Sequence, residues 1–291
     1  MKKHLFSILI IAMFLIGSSV LLYPAISNYV NSKHASKVIA TYNEVLTNSD
    51  EDKLRGILDS ATDYNTRLRS ALPDAFYIPS NVSGYNETLD ITGTGIMGYI
   101  DIDKIGVELP IYHGVGKEVL QVGIGHLEGT SLPVGGESTH CVLSGHRGLP
   151  SAKLFTDLDE LEIGDTFTIT ILDRLLTYRV DQIRIVLPTE VDDLQIVNGK
   201  DYCTLMTCTP YGINTHRLLV RAVRTENAEV KKGVFVKNEA FKVDTLIVAP
   251  IIAIPLLFIA LILLFLHDRL GTQNVSKSTA KKEKNTPEKK E

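Results

Sequence analysis

DYCTLMTCTPYGINTHRLLVRAVR occupies Asp201 to Arg224. Two runs of strand-favouring residues, DYCTLMTC and HRLLVRAVR, flank the turn formers Thr209, Pro210, Tyr211 and Gly212. This is the pattern of consecutive strands joined by a loop. Side chains alternate along a strand, so Cys203 and Cys208, five positions apart, point to opposite faces. Cys208 closes the first strand, where reactive groups are presented. Cys203 lies among strand residues, as a small core hydrophobe would. In the second strand His216 shares a face with Leu218, Val220 and Ala222, and Arg217 shares the other with Leu219, Arg221 and Val223. If Arg217 faces Cys208 across the turn, His216 faces away.

The same kind of text fills the stretch from Ile96. IMGYIDIDKIGVELPIYHG, THCVLSG, DTFTITILD and LLTYRVDQIRIVLP are further strand candidates, and LFTDLDELEIGD predicts one short helix before Gly164. Many short strands with few helices predict a mainly β domain closed, or nearly closed, into a barrel. Upstream, Ser32 to Leu72 is rich in helix formers. A break at Thr47 to Asp50 divides it into two helices, with Ser49 or Asp50 as the cap of the second. Pro73 to Thr94 carries prolines, glycines and polar turn formers and reads as a long loop.

Two uncharged apolar blocks lie outside this domain. Leu5 to Tyr23 follows a basic start, as a signal peptide or an anchor does. No A-x-A cleavage signal follows it, so an uncleaved anchor is expected. Thr245 to Leu266 provides 22 uncharged residues, enough for a helix to cross a bilayer. Lys2 and Lys3 precede the first block, and seven basic residues from Arg269 onward follow the second. The positive-inside rule then places both termini in the cytoplasm and the intervening domain outside the cell. The formal net charge is −4; the tail from Asp268 carries +3 and the first three residues +2, which leaves −9 on the segment between. An acidic outer domain argues against nucleic-acid binding, which needs a basic footprint.

Three cysteines, Cys141, Cys203 and Cys208, are too few and of the wrong parity for a disulfide scaffold. No C-x-x-C or H-E-x-x-H spacing points to a metal, and no cofactor is expected. A cysteine nucleophile needs thiolate character, which partial exposure and a nearby positive charge promote. Arg217 supplies such a charge and can donate to a developing oxyanion. The acid/base group must come from elsewhere. His146 lies in a Gly-His-Arg-Gly turn directly after the strand Cys141 to Ser144, where the flanking glycines let the backbone turn sharply. His140 starts that strand and reads as structural; His113 and His126 sit in looser loop contexts.

TLMTC, followed nine residues later by Arg217, resembles the sortase signature TLxTC…R, and SGHRGLP resembles the segment carrying the sortase histidine. With IMGYIDIDKIGVELPIYHG, these segments resemble the pilin-polymerising class C sortases of Gram-positive bacteria over about Ile96 to Arg224. The resemblance implies a sortase-type eight-stranded β-barrel with N-terminal helices and a transmembrane helix at each end, with Val186 to Lys200 as the loop between the seventh strand and the one before it. It implies Cys208 as nucleophile on the Thr–Gly carbonyl of an LPxTG-like sorting signal, His146 as acid/base and Arg217 as the positioning and oxyanion residue. Thr207, next to the nucleophile, is expected to touch substrate. The acceptor would be a lysine amine of another pilin. The class also has a lid, usually Asp-Pro-aromatic. Here Asp74-Ala75-Phe76 keeps the aspartate and the aromatic without the proline. By resemblance Asp74 pairs with Arg217 and Phe76 covers Cys208.

The organisation expected is therefore an anchor over 1–23, juxtamembrane helices over 24–72, a lid loop over 73–94, and a catalytic barrel over 95–228. A linker over 229–244, a transmembrane helix over 245–266 and a basic cytoplasmic tail over 267–291 follow. The partners expected are pilin subunits and membrane lipid. A sortase attaching surface proteins to cell-wall peptidoglycan is the close alternative, with a peptidoglycan precursor as acceptor. A membrane-tethered binding domain without enzymatic activity is the alternative of another class.

Overall fold

The computed structural model describes residues 2–227 and, further on, 253–255, 257–259 and 262. The expected linker 229–244, the tail 267–291 and most of the 245–266 span lie outside the described residues. The chain divides into two units, Ile26–Val236 and a smaller one made of Met1–Ala25 and Lys237–Glu291.

Helix α1 runs without a break from Lys2 to Thr47, with Pro24 inside it. The expected anchor and the first juxtamembrane helix are thus parts of one continuous helix, and the division between the two units falls within it, at Ala25–Ile26. Its apolar stretch is long enough to cross a membrane, and this N-terminal helix suits a membrane anchor. Helix α2 spans Glu51–Ser70 and opens where the sequence places the cap: the Asp50 carboxylate accepts from Lys53 N at 2.7 Å, satisfying one of the free N–H groups of the first turn. Leu54, Leu58, Ala61, Tyr64, Asn65 and Leu68 form its buried stripe. Each buried leucine contributes about 1.5–3 kcal/mol to holding the helix on the barrel.

The barrel has eight strands: β1 Ile96–Ile102, β2 Val107–His113, β3 Ile124–His126, β4 Thr139–Ser144, β5 Thr166–Ile171, β6 Arg174–Val186, β7 Asp201–Thr209 and β8 His216–Thr225. They close in the order β1-β2-β3-β4-β7-β8-β6-β5, with β1 pairing β5. Closure leaves no free edge. Two pairs are parallel, β2 with β3 and β4 with β7; the others are antiparallel. The short β3, which sequence periodicity did not flag, supplies the connection between β2 and β4. The short helix expected before Gly164 is a single 3-10 turn at Leu158–Glu160. Two further short helices form, α3 at Asp74–Tyr77 and α4 at Lys117–Leu120.

Alternation fills the barrel. Phe167, Ile169 and Ile171 of β5, Cys203 and Leu205 of β7, and Leu218, Val220 and Ala222 of β8 all join one core with the α2 stripe. Two polar anchors fix the helices. Tyr42 is fully buried; its hydroxyl donates to Met97 O at 2.9 Å and accepts from Leu172 N at 2.8 Å. Asn65 donates to Leu132 O and accepts from Leu132 N, at 3.1 and 2.7 Å.

The stretch 73–94 is more structured than a plain loop. Val82, Tyr85 and Leu89 are buried in the core. Tyr85 Oη lies 2.9 Å from His126 Nδ1 and accepts from Gly114 N at 2.9 Å. His113 faces two carbonyls around the same segment, Thr88 O at 2.7 Å and Gly95 O at 2.9 Å. The turn-forming composition masked these apolar anchors.

Candidate active site

Cys208 and Arg217 are direct partners in the β7–β8 ladder, and Thr209 pairs with His216 one step on. Directly opposed residues share a face. Cys208, Met206 and Thr204 therefore lie beside Arg217, Leu219 and Arg221 on the outer face of the barrel, while Cys203, Leu205 and Thr207 turn inward. His216 points away from Cys208, as alternation requires, and its Nδ1 lies 3.0 Å from Thr215 Oγ1.

The other side of Cys208 is formed by β4. The parallel ladder runs from Thr139–Asp201 to Ser144–Met206. Gly145 N donates to Met206 O at 3.0 Å, and Thr207 Oγ1 donates to Gly145 O at 2.8 Å. Two residues past the last rung stand His146, in the turn after β4, and Cys208, still within β7. The sheet order β4-β7-β8 thus places the His146 turn past the end of the strand on one side of Cys208's and Arg217 on the strand at its other side. His146 is half-buried, and that burial lowers its pKa below the usual 6.5. Of the three thiols, Cys141 and Cys203 are buried, 3% and 0% exposed, as ladder partners inside the barrel. Only Cys208 reaches the surface.

Thr207 is corrected by the same alternation. It is 2% exposed, and its hydroxyl is committed to Gly145 O, so it supports the His146 turn from inside the barrel instead of facing substrate. Asp74 is also placed differently from expectation. Its side chain is exposed at the start of α3, and no ion pair joins it to Arg217 among the described residues. Arg217 Nη1 instead donates to His216 O at 3.2 Å and Asn214 O at 3.4 Å.

Phe76 packs into an apolar cluster that includes Leu219 and Met206, which share the face of Cys208. It is half-buried against Val142, Leu194 and Leu219, a cluster that also takes in Met206, Val186 and Leu127. Ala75 beside it is fully buried. The backbone of α3 rests on Gly129, where a Cβ would lie 3.0 Å from both Ala75 O and Phe76 O, and where φ is +88°. A side chain at 129 would meet both steric obstacles. Nothing in the local sequence around Gly129 marks this seat.

The segment between β6 and β7 borders the same face and is held by His140. His140 Nδ1 lies 2.9 Å from Gln195 O and Nε2 2.7 Å from Thr204 Oγ1. A carbonyl can only accept, so Nδ1 carries the proton and Nε2 accepts from the threonine. Burial drives the His140 pKa down to about 4. Arg221 closes the lower edge, paired twice with Asp181 at 3.0 Å and stacked 4.3 Å from the Tyr202 ring centre. The structural reading of His140 agrees with the sequence; its role in holding this segment depends on a contact 55 residues away.

Residues 100–225 match the family model described as the sortase domain. A sortase C1 structure from Streptococcus agalactiae is 50% identical, covers 66% of this chain and all of its own, and has a TM-score of 0.61. Sortase C from Streptococcus pneumoniae is 40% identical over 66% of this chain and 97% of its own, with a TM-score of 0.57. Clostridium perfringens sortase C, solved with the C-terminal cell wall sorting motif, is 45% identical over 66% of this chain and 100% of its own, also with a TM-score of 0.57. The chain spans about half the length of the curated relatives it matches, a sortase A and a sortase D, at 55% and 54% of their lengths. With a closed eight-stranded barrel, the TLMTC strand and full coverage of a half-identical solved relative, this chain belongs to the sortase family, in its sortase C group.

Proposed function

We propose that this chain is a membrane-anchored cysteine transpeptidase that cleaves an LPxTG-like sorting signal between Thr and Gly and joins pilin subunits through a lysine amine. One observation carries the reading: Cys208 lies on an outer barrel face with Arg217 as its ladder partner and His146 at the end of the adjoining strand. The pneumococcal relative is described in terms of pilin substrate specificity, and the clostridial one was solved with a sorting motif; both support this substrate class.

The chemistry follows from the groups present. The Cys208 thiolate attacks the threonine carbonyl carbon, and the oxygen takes up negative charge. Arg217 donates to that oxygen; removing a donor of this kind typically costs about 10²–10³ in rate. The C–N bond then breaks, and His146 gives its proton to the departing glycine amine. A thioester remains on Cys208. The lysine amine attacks it, His146 takes up the proton, and the thiolate leaves as the new amide forms. The apolar part of α1 fits the anchor, with the barrel outside the cell and both termini inside. Phe76 and α3 act as a lid over the barrel face that carries Cys208.

The test is incubation of full-length protein in lipid nanodiscs with purified pilin subunits. Wild type gives covalent pilin ladders and Cys208→Ala gives none. Product linked only to peptidoglycan would reassign the acceptor to the cell wall. Ladders from the Cys208→Ala variant would remove the assigned nucleophile.

A further inference from the structure

The β4–β7 ladder ends at Ser144–Met206, two residues short of His146 and Cys208. Backbone pairing therefore does not by itself fix the distance between those two side chains. Side-chain bonds take over at this point, and Arg147 makes two of them. Its Nη2 donates to Asp159 Oδ2 at 2.5 Å, and its Nη1 donates to Thr209 Oγ1 at 3.3 Å. Thr209 directly follows Cys208, and Arg147 directly follows His146. One guanidinium thus links the histidine turn, the 3-10 turn Leu158–Glu160 and the end of the cysteine strand.

The rest of the turn is held in the same way. His146 O accepts from Phe155 N at 3.1 Å, and Gly148 N donates to Thr156 Oγ1 at 3.2 Å. The Tyr211 ring lies so close over Gly148 that a Cβ there would sit 2.8 Å from the ring. Arg147 itself is mostly buried, its side chain 12% exposed, and its Nε is enclosed without a partner. A buried N–H left unpaired calls for a reason. The rigid fork of a guanidinium provides one, because it serves two acceptors at a set angle, which an ammonium cannot do.

We propose that Arg147 is a positioning residue for transpeptidation, holding His146 at the distance from Cys208 that proton transfer requires. The proposal rests on the assignment of Cys208 as nucleophile and His146 as acid/base. Arg147 touches neither substrate nor the reacting atoms; it acts through the spacing of the two segments. Misplacement of a catalytic group by about 1 Å can cost on the order of 100-fold in rate.

The test uses full-length protein in nanodiscs and a fluorogenic peptide bearing an LPxTG motif, assayed between pH 5 and 9. Arg147→Ala lowers kcat on the order of 10- to 100-fold, leaves KM within about twofold of wild type as expected when ground-state binding is untouched, and shifts the limb of the pH profile set by His146. Arg147→Lys, which keeps the charge facing Asp159 and loses the fork, restores part of kcat. Asp159→Asn moves the same parameters in the same direction, and the double variant with Arg147→Ala is no worse than Arg147→Ala alone. Thermal melts run alongside. An Arg147→Ala enzyme with wild-type kcat and pH profile overturns the proposal. So does a loss of kcat that follows only the unfolded fraction, with Lys no better than Ala. Cleavage that survives in Cys208→Ala overturns the assignment beneath it, a result distinguishable from either.

Discussion

Cys208 and Arg217 face each other as register partners on neighbouring antiparallel strands, on the outer face of a closed barrel. They are nine positions apart in the chain, yet the β7–β8 turn brings their Cα atoms to adjacent positions. Arg217 waits there with its guanidinium on two backbone carbonyls, His216 O and Asn214 O. Carbonyl partners leave its positive charge without a carboxylate among the described residues.

That relationship sets the first prediction. Arg217→Ala lowers kcat for sorting-peptide cleavage by about 10²–10³-fold, with a smaller change in KM. Arg217→Lys recovers only part of the loss, because one ammonium does not reproduce the guanidinium fork. Steady-state kinetics on the nanodisc-bound protein checks both. A lysine variant with full activity would show that charge alone suffices.

The lid makes a second prediction, read through thiol chemistry. Cys141 and Cys203 are buried, so iodoacetamide reports on Cys208. Gly129→Val drives a side chain into Ala75 O and Phe76 O at a backbone with φ +88°, which displaces α3. Phe76→Ala removes the apolar contact with Val142, Leu194 and Leu219. A change of 1–2 kcal/mol in lid closure speeds alkylation by about 5- to 30-fold. Asp74→Ala, which removes an exposed carboxylate with no ion pair to Arg217, changes the rate by about twofold or less. A large acceleration from Asp74→Ala would restore the ion pair expected from the family pattern.

A third prediction concerns Thr207. Its hydroxyl is buried and bonded to Gly145 O at 2.8 Å. Thr207→Val costs about 1 kcal/mol of stability, seen as a lower urea midpoint, and leaves KM for the peptide unchanged. A raised KM at unchanged stability would place Thr207 in substrate contact after all.

His140 carries a pH prediction. Its folded-state pKa is about 4, below the unfolded value near 6.5. Between those values the unfolded chain binds a proton that the folded chain refuses. Stability therefore falls as the pH drops from about 6.5 to about 4, and levels off below that. One such proton is worth about 1.4 kcal/mol per pH unit, so the loss is of the order of 2–3 kcal/mol across the window. His140→Gln removes this component. Urea titrations of wild type and variant at pH 7.5 and 4.5 measure it, and equal acid sensitivity in the two proteins would place the titrating group elsewhere.

Much of this was legible in the primary structure because it depends on local periodicity. Strand alternation alone separated Cys208 from Cys203, and Arg217 from His216, since the period of two is a property of the backbone. The Asp50 cap and the apolar N-terminal helix were legible for the same reason: each is decided by residues within a few positions of one another. The three-residue β3 was too short to show a period. The buried anchors Val82, Tyr85 and Leu89 were hidden among turn formers.

The sequence by itself determined which residues face together along each strand, and it carried the TLMTC and GHRG segments that mark the family. Only the tertiary structure decided which strands are neighbours. The parallel β4–β7 pairing sets the end of the Cys208 strand beside the turn that carries His146, about sixty residues away, turns Thr207 toward Gly145, and lets Arg147 reach both Asp159 and Thr209. The tertiary structure also seats α3 on Gly129 and forms no Asp74–Arg217 ion pair among the described residues. The physical reason is the same in each case. Alternation is written into every residue's own backbone, whereas register between distant strands is set by closing the barrel around a common core, and no stretch of the chain contains that information alone.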